Sequence, residues 1–254
     1  MSKIALVKWL KEIGDDVLTA SNPSQLIDEP VQTLKKKPVV TGAQPAQKNV
    51  QVSAVRELVQ RAQSLAELRQ IMENFDGCDL KKVANKMVFG DGNPESKIML
   101  IGEAPGADED REGLPFVGVS GKLLDQMLAC IGLNRSNYYI TNIIPWRPPG
   151  NRNPTPEEIA MCMPFVERRI ELIQPAVIVM IGGVAAKSLM NVATGITGLR
   201  GSWHEYKTPG GTVSVQSFAI YHPSYLLRSP GQKRVAWHDM LVLKQKLVEL
   251  GLLG

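Results

Sequence analysis

Ala176-Val-Ile-Val-Met-Ile-Gly182 carries no polar side chain at any position. A strand with one wet face alternates apolar and polar residues, whereas a strand covered on both faces does not. The run is too short for a membrane span and has the length of a strand. It is therefore expected to lie centrally, with layers packed above and below. Lys97-Ile-Met-Leu-Ile-Gly102 reads the same way and runs into the turn Gly102-Glu-Ala-Pro-Gly106. Tyr138-Tyr-Ile-Thr-Asn142 and residues 217–221 supply two further strands, and helical spacing marks 120–131, 155–173, 184–191 and 232–250. Thr155-Pro-Glu-Glu158 opens the second of these helices with a cap, a first-turn proline and a glutamate that reaches back. Strands alternating with helices imply an α/β fold, here a three-layer α/β/α arrangement with a short, mainly parallel central sheet.

Upstream, 52–63 and 64–75 read as two helices, the second opened by the capping box Ser64-Leu-Ala-Glu67. Ile4, Val7, Trp9, Leu10 and Ile13 recur at near-helical spacing. Ser, Pro, Gln and Thr then dominate, with the run Lys35-Lys-Lys-Pro38. The expected organisation is an amphipathic helix in 1–18, a flexible linker in 19–50 and one domain in 51–254. Hydrophobic residues at 44% and charged residues at 21% of 254 exclude wholesale disorder. Three scattered cysteines make no disulfide framework, and the charged N-terminus lacks a signal-peptide pattern, so a cytoplasmic, membrane-free protein is expected. The net charge of +4 suits a polyanionic partner without requiring one.

In a parallel sheet, ligands bind beyond the carboxyl ends of the strands. Those ends carry Gly102-Glu-Ala-Pro-Gly106, Asn142, Gly182-Gly183 and His222-Pro-Ser-Tyr-Leu-Leu-Arg228. Alone, the Gly102–Asp110 string is a generic strand-to-helix turn: it lacks the Gly-Lys-Ser/Thr of a phosphate loop and the third glycine of a dinucleotide fingerprint. His222 follows a strand and is held by a proline turn, whereas His204 and His238 read as packed or solvated. Histidines and cysteines together show no zinc spacing.

The ordered series is more specific than its parts. Gly102-Glu-Ala-Pro-Gly106, Gly113-Leu-Pro-Phe-Val-Gly118, Ile140-Thr-Asn142, Arg147-Pro-Pro-Gly-Asn-Arg152 and His222-Pro-Ser-Tyr-Leu-Leu227 follow one another at domain-scale spacing. This series resembles the iron–sulfur (family four) uracil-DNA glycosylases of the uracil-DNA glycosylase superfamily, over roughly residues 64–250. The resemblance implies a monofunctional repair enzyme that flips uracil out of DNA and hydrolyses its glycosidic bond, leaving an abasic site. An alternative is a uracil- or abasic-DNA-binding protein with weak turnover.

The resemblance also implies roles. His222 donates to uracil O2 as charge develops, and Asn142 reads the uracil edge and refuses cytosine. Phe116 stacks on the base, Glu109 lines its C5 side, and Gly102 and Ala104 complete the uracil-binding set. Glu103 serves the cationic sugar or the attacking water, or Asn151 holds that water instead, since Ala104 stands where better-known relatives carry aspartate. Leu226 is the apolar wedge that fills the gap in the stack, with Ser224, Arg228 and the Lys233-Arg234 pair on phosphates. The family's cluster needs four cysteines, but only Cys78 and Cys162 are kept; Phe75 and Trp146 replace the others, so no cluster and no other cofactor are expected. A monomer is expected, with the N-terminal segment and its Trp9 as a candidate docking element for a protein partner.

Overall fold

The computed structural model describes residues 46–253. The chain forms helices α1 (Ala46–Gln60), α2 (Leu65–Glu73) and α3 (Leu80–Val83), then strands β1 (Asp91–Gly92) and β2 (Ile98–Gly102). Helices α4 (Ala107–Glu112) and α5 (Val119–Ala129) lead to β3 (Tyr139–Asn142), α6 (Pro156–Ile173), β4 (Val177–Ile181) and α7 (Gly183–Met190). A short α8 (Ile196–Leu199) precedes β5 (Trp203–Lys207), β6 (Ser214–Ile220), α9 (Pro223–Arg228) and α10 (Lys233–Glu249).

The six strands lie in the order β1-β3-β2-β4-β6-β5. The central pairs β3–β2, β2–β4 and β4–β6 are parallel, and the edge strands β1 and β5 run antiparallel. Successive strand residues point to opposite faces. Met99, Ile101, Ile178 and Met180 enter one core with α1, α2, α6 and α7 residues. Ile98, Leu100, Val177, Val179 and Ile181 enter the other, with α5 and α10. Two cores on two faces make the three-layer α/β/α fold, and the unbroken apolar strands follow from that double burial. No helix among the described residues is long and apolar enough to cross a membrane.

Helix α1 begins at Ala46, so 46–50, assigned to the linker from composition, are helical. The helix expected in 1–18 and the rest of the linker lie outside the described residues. Helix α6 is the scaffold of its layer, lying against α1 and α2. Its guanidinium Arg169 is fully buried, stacks 4.2 Å over the Phe89 ring and donates to Thr141 Oγ1 at 2.8 Å, tying α6 to β3.

The expected cap forms. Thr155 Oγ1 accepts from Glu158 N–H at 3.2 Å, Glu158 accepts from Thr155 N–H at 2.7 Å, and Arg152 grips the same carboxylate with two bonds. That guanidinium, more than the backbone donor, holds the Glu158 carboxyl below its usual range. Thr155→Ala should lower the unfolding free energy by about 1 kcal/mol, a fall of about 2–4 °C in Tm, while leaving the fold intact. Thermal melts of the two proteins check this, and an unchanged Tm would contradict it.

Candidate active site

Parallel register brings the strand ends together. Gly102 pairs with Asn142 across β2–β3, and Ile181 pairs with Ile220 across β4–β6, one residue from Gly182 and two from His222. The segments leaving these ends enclose a cleft of about 480 Å³ lined by Glu103, Ala104, Glu109, Phe116, Asn142, Asn151, His222, Ser224 and Arg228. Nine sequence-predicted residues thus meet in one place. A larger cleft of about 610 Å³ beside α1 and α6 holds Arg56, Glu167, Arg168 and Glu171. Its charges are spent on each other, as Arg56–Glu167 and Arg168–Glu171 pairs, so the smaller cleft is the stronger candidate site.

His222 caps α9, whose first residue is Pro223. The Ser224 N–H donates to His222 Nδ1 at 3.1 Å, and Ser224 Oγ lies 2.8 Å from the same atom. An N–H cannot donate to a protonated nitrogen, so neutral His222 carries its proton on Nε2, and the Ser224 hydroxyl donates as well. Burial first, and then the neighbouring Arg228 guanidinium, push the imidazole pKa down to about 4. The result is an uncharged ring with a fixed Nε2–H donor. The Ser224 hydroxyl, expected on a DNA phosphate, donates a hydrogen bond to the histidine.

Asn142 is buried, and its Oδ1 has no hydrogen-bond partner among the described residues. Buried acceptors are nearly always satisfied, so an orphan in a cleft marks a place for a ligand donor. Gly102 lies directly beneath: a Cβ there would collide with Asn142 Oδ1 and with the Phe116 ring. Phe116 is buried, and its ring centroid lies 5.9 Å from that of His222 at 33°. Its backbone sits at φ 56°, in the left-handed region that bulky residues avoid. Glycine, histidine, asparagine and aromatic ring therefore form one contiguous wall.

Other residues take places that the sequence did not foresee. Glu109 lines the cleft, yet its carboxylate accepts from Gly106 N–H at 3.0 Å and from Val117 and Gly118 N–H at 2.9 Å each. It tethers the loop that carries Phe116 to the start of α4. Glu103 accepts no side-chain hydrogen bond among the described residues, and burial raises its pKa. Asn151 ends a short 3₁₀ turn in the left-handed region, with Oδ1 taken by Arg147 Nε at 2.7 Å. Leu226 does not reach the mouth: it is fully buried in the core beneath α9, while Leu227 next to it is 43% exposed. Lys233 is also buried, which leaves Arg234 as the more accessible member of that pair. Ser120, Arg152 and Tyr225 line the cleft and were not singled out. Arg152 and Tyr225 stood inside quoted motifs, so position in the motif was the available signal.

Phe75, Cys78, Trp146 and Cys162 are all buried within one apolar core. The Phe75 ring packs against Phe165 at 5.2 Å. Cys78 and Cys162 share a hydrogen bond, which together with burial holds the Cys162 thiol above its usual range. Two thiols, a phenyl ring and an indole do not fit a four-iron cluster, which requires four thiolate ligands. Among the described residues, no group of three or more His, Cys, Asp or Glu is placed to hold a metal ion.

The description "Uracil DNA glycosylase superfamily" matches residues 89–241, and the chain belongs to that family. It is similar to the Type-4 uracil-DNA glycosylase of Archaeoglobus fulgidus, 46% identical over 167 residues that cover 64% of this chain and 82% of that one. The Type-4 uracil-DNA glycosylase of Thermotoga maritima is 41% identical over 166 residues, covering 64% and 84%. That of Sulfurisphaera tokodaii is 35% identical over 187 residues, covering 72% and 84%.

The histidine geometry has a pH signature. Unfolded His222 takes up a proton near about pH 6.5, and the folded ring does so only near pH 4. Stability should therefore be unpenalised above about pH 6.5 and decline as pH falls toward 4, because the unfolded state then binds the extra proton. Nitrogen-15 spectra of histidine-labelled protein, with His222→Ala assigning the signal, should show the neutral Nε2–H form from pH 8 down to about 5. A His222 titration near 6.5 would contradict the half-buried, Nδ1-accepting arrangement.

Proposed function

We propose that this chain is a monofunctional uracil-DNA glycosylase of DNA repair, acting on the flipped base in the cleft that joins Asn142, Phe116 and His222. The observation that carries the proposal is the buried, unpartnered Asn142 Oδ1 beside an aromatic ring and a neutral histidine donor. Uracil offers what this wall lacks: an N3–H for the amide oxygen, a carbonyl O4 for the amide nitrogen, an O2 for His222 Nε2–H and a flat face for Phe116. Cytosine has a bare N3 acceptor and an amino donor in their place, so it would leave Asn142 Oδ1 orphaned.

Breaking the glycosidic bond sends the electron pair into the base, leaving a uracil anion and a cationic sugar. A fixed Nε2–H donor is worth most when that negative charge appears on O2. Because His222 is neutral, it stabilises the anion by hydrogen bonding without having to transfer a proton. Glu103, half-buried at the end of β2, would offset charge on the sugar or orient the water that attacks C1′. Asn151 is the less favoured holder of that water, since Arg147 already occupies its side-chain oxygen. Exposed Arg228 would meet phosphate. Leu227, rather than the buried Leu226, would present the apolar wedge. Ala104 contributes only a methyl group to the cleft, which favours a second reading, a uracil- or abasic-DNA binder that turns over weakly; uracil release with DNA in excess separates the two.

His222→Ala should slow excision by roughly a hundredfold or more, a usual loss for one donor to a developing anion, with little change in affinity for uncut uracil DNA. Asn142→Asp accepts but cannot donate, so uracil excision should fall sharply, and residual activity should shift toward cytosine. Single-turnover rates on uracil and cytosine oligonucleotides, beside melting temperatures, test both. Wild-type rates in the folded variants would overturn the site assignment.

Iron–sulfur chemistry is not part of the proposal, because the side chains at the four ligand positions are Phe75, Cys78, Trp146 and Cys162. Anaerobically purified protein should be colourless, without absorption near about 400 nm and without stoichiometric iron or sulfide. Four irons per chain would overturn this.

A further inference from the structure

We propose that Arg135, which does not itself line the cleft, is a positioning residue that sets the base-stacking ring of Phe116; the inference rests on the glycosylase reading above. Arg135 lies in the turn between α5 and β3. Its Nη2 donates to the carbonyl of Phe116 at 2.8 Å and its Nη1 to the carbonyl of Pro115 at 3.1 Å. The same guanidinium is anchored by Asp91 at 2.9 Å and Asp125 at 3.2 Å, and the Tyr138 hydroxyl donates to Asp125 at 3.0 Å. On the other side of the loop, Glu109 accepts the N–H groups of Val117 and Gly118. Two successive carbonyls are thus held by a cation and the next two amides by an anion.

Phe116 needs such a clamp. At φ 56° a phenylalanine relaxes toward ordinary backbone unless its surroundings hold it. Relaxation would rotate the ring off Gly102 and away from His222. Gly121 closes the third side, since a Cβ there would collide with the Phe116 carbonyl. The five planar donors of arginine suit this task, because one group spans two carbonyls and two carboxylates at once. Lysine keeps the charge but has no rigid fork with which to hold both carbonyls.

The test is a double-mutant cycle on single-turnover uracil excision with Arg135→Met, Phe116→Ala and the pair, under conditions where melts show every protein folded. If Arg135 acts through the ring, Arg135→Met lowers the rate by about tenfold in the wild-type background and by less than about twofold once Phe116 is alanine. DNA affinity stays within about twofold in both backgrounds, because phosphate contacts lie elsewhere. Equal losses in the two backgrounds would mean that the residue serves only the fold, and the inference fails. Should Arg135→Met not fold, Arg135→Lys replaces it: it keeps a cation beside Asp91 and Asp125, and the same loss of coupling is expected. If the wild-type protein excises no uracil, the functional reading fails instead, which separates the two outcomes.

Discussion

The contact of Asn142 with the bare α-carbon of Gly102 is the constraint on which the cleft depends. Parallel register places the two residues opposite each other at the last rung of β2–β3. Only a glycine leaves room there for both the amide oxygen and the Phe116 ring. The amide oxygen beside it has no hydrogen-bond donor among the described residues. In the proposed reading, the group that meets the base is placed by the sheet itself, and the loops bring His222 and Phe116 to it.

Much of this was legible in the chain. The central strands announced themselves because burial on both faces leaves no polar residue in β4, and the carboxyl ends of such strands have to meet. The edges were not legible. Strand β1 is two residues, Asp91 and Gly92, with no pattern to detect, and β5 carries Trp203, His204, Glu205, Tyr206 and Lys207, a mixed string that pairs only because β6 offers an edge. Helix α4 was read as part of a turn: its acidic first turn, Asp108, Glu109 and Asp110, suits a helix N-terminus but contains no apolar stripe.

Individual roles were harder to read than positions. Counting four residues from His222 lands on Leu226, but the phase of α9 turns that side chain into the core and its neighbour outward. Glu109 carries a motif position, yet which donors would claim its carboxylate depends on a loop fold that no local spacing specifies. Ser224 is similar: its hydroxyl proton goes to the nearest strong acceptor, and the turn after β6 makes that acceptor His222 Nδ1.

The left-handed backbone of Phe116 sets two demands that no single residue satisfies well. Glycine or asparagine would sit comfortably at that φ and would ease the strain, while offering no broad ring to a flipped base. An aromatic side chain supplies the ring and keeps the strain. If Phe116 stacks on the base as proposed, selection for heat resistance alone would favour changes at position 116 that abolish that use, so thermal robustness and chemical competence would compete at one residue. On that reading the wall of the cleft is held at the expense of local stability, and a more durable molecule obtained by relaxing it would be a less capable one.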